Sequence, residues 1–128
     1  NRRYLLILDR IIFLVLGFAG GIMTTSEMLR TFRTAWGKSK AEEARVYALL
    51  LSELGIDPEG VADFREARKS IKIGIWLRVF QEKGIVIGSR VLYRGKEFVV
   101  KHIFTTSGTA SLKGKIGHMN PLSLTKVQ

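Results

Sequence analysis

The pattern of apolar residues changes near Gly84, and this change divides most of the chain into a helical part and a β part. Before it, apolar side chains recur at the three- and four-residue spacing of an amphipathic helix. After it, apolar and β-branched residues form short runs separated by glycine-containing turns. Short helices followed by an antiparallel sheet predict an α+β fold.

The helical part, residues 26–83, carries signals for where its helices begin and end. Ser26 is predicted to cap the first helix, which is expected to end at a glycine turn. Ser39 and Glu42 have the spacing of a capping box. In this motif, the serine side chain accepts a hydrogen bond from the backbone N–H three residues later, and the glutamate side chain accepts one from the serine backbone N–H. Gly55 is predicted to follow the end of that second helix.

A third helix is predicted from Pro58, because proline suits the first helical position. Residues 70–83 fit two interpretations, since their isoleucines alternate as in a strand and also repeat as in a helix. The Gln-Glu-Lys-Gly ending at Gly84 favours the helix.

The β part, residues 84–128, is predicted to form a small antiparallel barrel-like module. Two strands over Val86–Tyr93 and Glu97–Phe104 are joined by a hairpin turn in which Gly95 supplies a positive φ. Shorter strands are predicted at Thr109–Lys113 and Leu122–Val127, with a loop over 114–121 between them.

Residues 1–25 form a third, apolar region whose role the sequence leaves open. Tyr4–Met23 is interrupted only by Asp9 and Arg10, and twenty helical residues would span about 30 Å, the thickness of a bilayer core. The segment is therefore interpreted as a buried helix or strand, or as a membrane-associated or signal segment. Met23 would also suit an initiator, which would make residues 1–22 upstream sequence.

The charge of the chain is concentrated near its C-terminus. The net charge is +10, from 21 Lys and Arg against 11 Asp and Glu, and residues 84–128 alone hold seven cations against Glu97. Such a surplus indicates a polyanionic partner, with nucleic acid the foremost class. Tyr93 is predicted to stack on bases if it is exposed. The predicted phosphate-binding cations are Arg90, Arg94, Lys96, Lys101, Lys113 and Lys115.

The β part resembles the Src-homology-3-like, KOW and Tudor group of small barrels. The resemblance rests on Gly88-Ser89-Arg90-Val91-Leu92-Tyr93, then Gly95-Lys96-Glu97-Phe98-Val99-Val100, then Ala110-Ser111-Leu112, and last Asn120-Pro121 through Val127. It covers about a third of the chain and implies a binding module for nucleic acid, protein or peptide.

A second resemblance overlaps the first one. Ile73 through Arg78, followed by Gly84 through Gly88, is similar to the helix and first wing strand of winged-helix domains in phage and plasmid replication proteins. It implies a helix that reads duplex DNA and a hairpin that touches the backbone. Only Lys72 and Arg78 supply cations on that helix, and the two resemblances compete for the same strands.

Residues suited to catalysis or metal binding are few. The chain has no cysteine, which removes disulfides, thiolate metal sites and cysteine nucleophiles. Gly37-Lys38-Ser39 lacks the upstream glycine of a phosphate-binding loop, since position 32 is Phe. His102 and His118 have no acid nearby in sequence. We therefore predict no enzyme activity, no metal and no cofactor.

These observations predict a non-catalytic, cytoplasmic accessory protein that binds RNA or DNA. Its predicted setting is a phage, plasmid or ribonucleoprotein assembly. One alternative is a membrane-anchored adaptor, with Tyr4–Met23 at the bilayer and the basic module on anionic headgroups. Another is a structural subunit of a multiprotein assembly, in which Trp36 or Trp76 contacts other protein subunits.

Overall fold

The structure, a computed structural model, describes residues 23–128, so the predicted apolar region, residues 1–25, lies outside the described residues except for residues 23–25. Within them, α-helices precede a five-stranded antiparallel sheet, which confirms the α+β prediction. No helix in residues 23–128 combines the length and apolar character needed to cross a membrane. The helices are α1 (Thr25–Thr34), α2 (Lys40–Glu53) and α3 (Phe64–Lys83), and the strands are β1 (Arg90–Tyr93), β2 (Lys96–Phe104), β3 (Thr109–Leu112), β4 (His118–Met119) and β5 (Thr125–Lys126).

Helix α1 begins earlier than the sequence pattern predicts. Thr24, not Ser26, is its N-cap, because the Thr24 hydroxyl accepts from the Glu27 N–H at 3.1 Å. The Glu27 carboxylate accepts in return from the Thr24 backbone N–H at 3.4 Å. Threonine and glutamate three residues apart satisfy two N–H groups at once, which favours this start. The helix ends at Thr34 and continues as a short 3-10 turn to Gly37.

The ends of helix α2 follow the prediction more closely. Ser39 caps it by accepting from the Glu42 N–H at 3.3 Å, while the Glu42 carboxylate lies 3.9 Å from the Lys38 ammonium. The helix is followed by Gly55 at φ +73°, which confirms the predicted stop.

Helix α3 is one continuous helix, which confirms the helical interpretation of residues 70–83. Pro58 does not start it but opens a separate 3-10 turn, Pro58–Gly60, capped by the Asp57 carboxylate. The helix begins six residues later than predicted, at Phe64. The described chain divides within this helix into two compact units, residues 23–71 and residues 72–128.

The sheet of the second unit is open, so the predicted barrel-like closure is wrong. Its strand order is β4-β3-β2-β1-β5, with antiparallel pairing throughout. The two edge strands, β4 and β5, are each two residues long and pair only with β3 and β1, respectively. Because β4 and β5 lie at opposite ends of this order and do not pair with each other, the ladder of hydrogen bonds that would close the sheet is missing.

Several strand boundaries also differ from the prediction. β1 begins at Arg90 because the preceding residues turn, and Val86 and Ile87 are exposed. β4 lies where a loop was predicted, and Leu122 belongs to a 3-10 turn, Pro121–Ser123, instead of a strand. The hairpin turn is confirmed, with Arg94 at φ +50° and Gly95 at φ +80° between the paired strand ends.

The second unit has its own apolar core. Tyr93 and Phe98 are partly buried and pack against it, so their rings are largely committed to the fold. The buried residues of this core are Phe80, Ile85, Val91, Val100, Ala110, Leu112 and Leu124.

Candidate nucleic-acid interface

Three of the six predicted cations meet at one groove of the second unit. Lys101, Lys113 and Lys115 line an open groove of about 600 Å³, and its lining contains no carboxylate. The groove therefore presents three positive charges without local neutralisation, as a polyanion requires. Its remaining lining residues are Ser111, Leu112, Gly114, Ile116, Gly117 and His118.

A β-bulge places Lys101 at this groove. Val100 pairs with Leu112 and His102 pairs with Ser111, so Lys101 is the extra residue between two consecutive pairs. As a result, Lys101 and His102 are both exposed, whereas Val100 is buried. The bulge thus allows two consecutive side chains, Lys101 and His102, to face outward where the ladder changes register.

The loop between β3 and β4 supplies the other two lysines. The Lys113 N–H donates to the Val99 carbonyl at 2.9 Å, which fixes the start of the loop on β2. The Lys115 N–H donates to the Leu112 carbonyl at 3.2 Å, and Gly114 supplies the positive φ of +80° that this tight turn requires. The two lysines are therefore held at the groove by backbone bonds.

Two further predicted residues are connected to the groove through a ring. The Lys115 ammonium lies 5.1 Å from the centre of the Tyr93 ring, and the Arg94 guanidinium lies 5.2 Å from the same ring. Tyr93 thus links the groove to the hairpin turn, but its half-buried ring packs against the core. Lys96 has a separate place, with its ammonium 5.5 Å from the Phe98 ring centre.

Arg90 has an acidic partner, unlike the groove lysines. Its guanidinium lies 3.6 Å from the Glu97 carboxylate, and both side chains are exposed. An exposed ion pair of this kind contributes little free energy, so Arg90 can exchange Glu97 for a phosphate at a small cost in free energy. Its predicted phosphate contact stays a prediction.

Lys83, another cation of the second unit, stabilises the fold. The Lys83 ammonium donates to the carbonyls of Pro121 and Leu124, each at 2.7 Å. Burial lowers the pKa of Lys83. Because this ammonium holds the chain before β5 to the end of α3, it is not a free phosphate ligand.

Sequence reasoning missed a row of three rings beside the groove. His102, Phe104 and His118, here called the ring row, lie across β2 and β4. The Phe104 and His118 rings stack with centres 4.5 Å apart and planes at 16°, and His102 lies 5.0 Å from Phe104. Two-residue spacing on a strand could have paired His102 with Phe104. The place of His118 depends on β4, which no local pattern indicates.

The first unit uses its charges inside the fold. The Arg68 guanidinium contacts the Glu43 carboxylate at 2.6 Å and the Tyr47 hydroxyl at 2.9 Å, and that hydroxyl donates to Glu43 at 2.6 Å. Burial by itself raises the pKa of Glu43, but the bonds from Tyr47 and Arg68 outweigh it and hold the pKa below its usual value. Burial and the bond to Glu43 raise the pKa of Tyr47 to about 12.

Trp36, predicted as a possible protein contact, is 64% exposed. Its ring centre lies 4.3 Å from the Arg68 guanidinium, which fixes one end of the indole to the first unit. The contact with a protein partner stays a prediction.

Within residues 23–128, no group of three or more His, Asp and Glu side chains is placed to hold a metal ion. Comparison of the chain with protein-family models, with curated proteins and with solved structures found no match. The site must therefore be interpreted from its own geometry and charge.

Proposed function

We propose that residues 72–128 bind RNA or DNA, chiefly through the sugar–phosphate backbone and without catalysing a reaction on it. The observation that carries the proposal is the acid-free groove lined by Lys101, Lys113 and Lys115. Arg94 is connected to this groove through the Tyr93 ring, which the groove lysine Lys115 also contacts. Phosphate contacts by Lys96 and Arg90, which lie outside the groove lining, are the further part of the proposal.

The charge of the second unit supports the same proposal. It holds ten Lys and Arg residues against two acids, Glu82 and Glu97. Lysines that contact phosphates displace counterions, so the affinity is expected to fall steeply as salt rises. An accessory role with other protein subunits, in a phage, plasmid or ribonucleoprotein assembly of the cytoplasm, remains part of the proposal.

The test compares two variants that lose the same number of charges. One replaces the three groove lysines by glutamine, and the other replaces Arg45, Arg65 and Lys69, exposed cations of the first unit. Affinity for a fluorescent oligonucleotide is measured by anisotropy over a range of NaCl concentrations. We expect the groove variant to lower the slope of log affinity against log salt by about 2, for three lost phosphate contacts.

The first-unit variant is expected to keep the wild-type slope, because it leaves the groove intact. Equal losses in the two variants would show that only net charge matters and would contradict the proposed site. Failure of the wild-type protein to bind the oligonucleotide at low salt would contradict the proposed function itself.

A further inference from the structure

We infer that the nucleic acid bound at this groove is single-stranded and that one of its bases stacks on His118. This inference rests on the proposed function and names the form of its ligand. It follows from the ring row and its position relative to the three lysines.

The ring row has the construction of a stacking platform. Phe104 is half-buried, while His102 and His118 are both exposed. Phe104 supports His118 from one side, with ring centres 4.5 Å apart and planes nearly parallel. An exposed ring whose other side is already stacked loses little freedom when a base adds to it, which favours binding.

His118 is also the member of the ring row that borders the lysines. It lines the same groove as Lys101, Lys113 and Lys115, whereas His102 and Phe104 do not. Ser111 pairs with His102 on one side and with His118 on the other, and it lines the groove as well. Because the Ser111 side chain is small and lies between the two histidines, it leaves room beside the His118 imidazole.

A ring and cations on one groove fit a single strand better than a duplex. In a duplex, the bases stack on one another inside the helix, and only phosphates and base edges reach a protein surface. A single strand can place its phosphates on lysines and turn a base onto an aromatic ring. Tyr93 and Phe98 pack against the core, so within the described residues His118 is the ring that borders the groove.

The experiment separates the base from the backbone. The probes are a fluorescent oligodeoxythymidylate of about 12 nucleotides, a strand of the same length and phosphate number made of abasic sites, and a duplex of that length. We expect the wild-type protein to bind the thymidylate about 5- to 100-fold more tightly than the abasic strand, and more tightly than the duplex.

His118→Ala is expected to remove the preference for the base-containing strand and leave affinity for the abasic strand unchanged. His118→Phe, which keeps a ring, is expected to retain the preference. His102→Ala is the matched control, because it removes an exposed histidine of the ring row that does not line the groove. Since His118 is exposed, its variants are expected to fold, and circular dichroism checks this.

Equal binding of the thymidylate and the abasic strand would overturn the stacking inference, and so would a duplex bound as tightly as the single strand. In both cases, the lysine dependence would remain and the proposed function would stand. Loss of the lysine dependence, or no binding of any probe, would overturn the proposed function and the inference together.

Discussion

The two units of the molecule use charge in opposite ways. The described part of the first unit, residues 23–71, holds eight cations and eight acids, whereas the second unit holds ten cations and two acids. In the first unit, the half-buried Arg68 is paired with the buried Glu43 and with Tyr47. In the second, the lysines at the groove have no acid in its lining. The difference indicates that charge stabilises one unit and remains available for a ligand in the other.

The chain offers a separate optical probe for each unit. Its two tryptophans are Trp36 in the first unit and Trp76 in the second. Replacing one of them by phenylalanine leaves a fluorescence signal that reports on the other unit. The stability predictions below use Trp36 for the first unit and Trp76 for the second.

The largest expected effect is on the ion pair of the first unit, in which Glu43 is buried and Arg68 is 29% exposed. Glu43→Gln removes the charge that strengthens the bonds from Arg68 and Tyr47 to this carboxylate, which should cost about 2–4 kcal/mol of unfolding free energy. Urea unfolding followed through Trp36 measures the loss. Adding Arg68→Met should recover part of it, because no unpaired charge then remains. An unchanged urea midpoint for Glu43→Gln would contradict the idea that charge stabilises the first unit.

The same pair makes stability depend on pH. Because the folded-state pKa of Glu43 lies below its usual value, its contribution is present above that usual value and is lost as pH falls through the folded-state pKa. Glu43→Gln should therefore flatten the loss of stability in acid, measured as the urea midpoint at each pH.

A smaller effect is expected from two glycines that share a backbone conformation. Gly108, in the second unit, has φ +70°, and an added Cβ would lie 3.1 Å from the Ile73 carbonyl oxygen and from Trp76 Cβ. Gly55, in the first unit, has φ +73° and open space around it.

Gly108→Ala should therefore cost about 2–3 kcal/mol, from left-handed strain and crowding together. Gly55→Ala should cost about 1 kcal/mol from the strain alone. Urea unfolding of each variant, followed through the tryptophan of its own unit, gives the two values. Equal losses would mean that crowding at Gly108 contributes nothing.

The smallest effect is expected at the ion pair of the second unit. Arg90→Gln breaks an exposed contact with Glu97 at 3.6 Å, which should cost less than about 0.5 kcal/mol. The urea midpoint followed through Trp76 tests this. A loss as large as that of Glu43→Gln would erase the contrast between the two units.

Features with a local cause could be predicted from the sequence. The glycines at 55, 84 and 95 all adopt positive φ, and they mark two helix ends and a hairpin as expected. The predicted start of α1 was wrong because Thr24 and Ser26 are both residue types that suit an N-cap. Only Thr24 has a glutamate three residues later, and that glutamate decides between them. The open sheet was missed because closure depends on which distant strands meet, and neither two-residue edge strand carries a periodic signal.

The site was predictable only in part for the same reason. Counting charges identified Lys101, Lys113 and Lys115, but it could not separate them from Arg90, whose partner Glu97 lies on the adjacent strand. The ring row needs β4 to bring His118 beside Phe104. Such contacts between distant residues follow from the pairing of the strands, which spacing along the chain does not reveal.

The bulge at Lys101 limits how this protein can change in length during evolution. Removing one residue there would delete a cation and restore an even ladder. The later positions of β2 would keep their sides, because His102 and Ile103 already lie opposite Ser111 and Ala110, the residues that precede Leu112 on β3. We conclude that position 101 is where this strand could lose a residue with its later pairing intact, and that the loss would remove one cation from the groove.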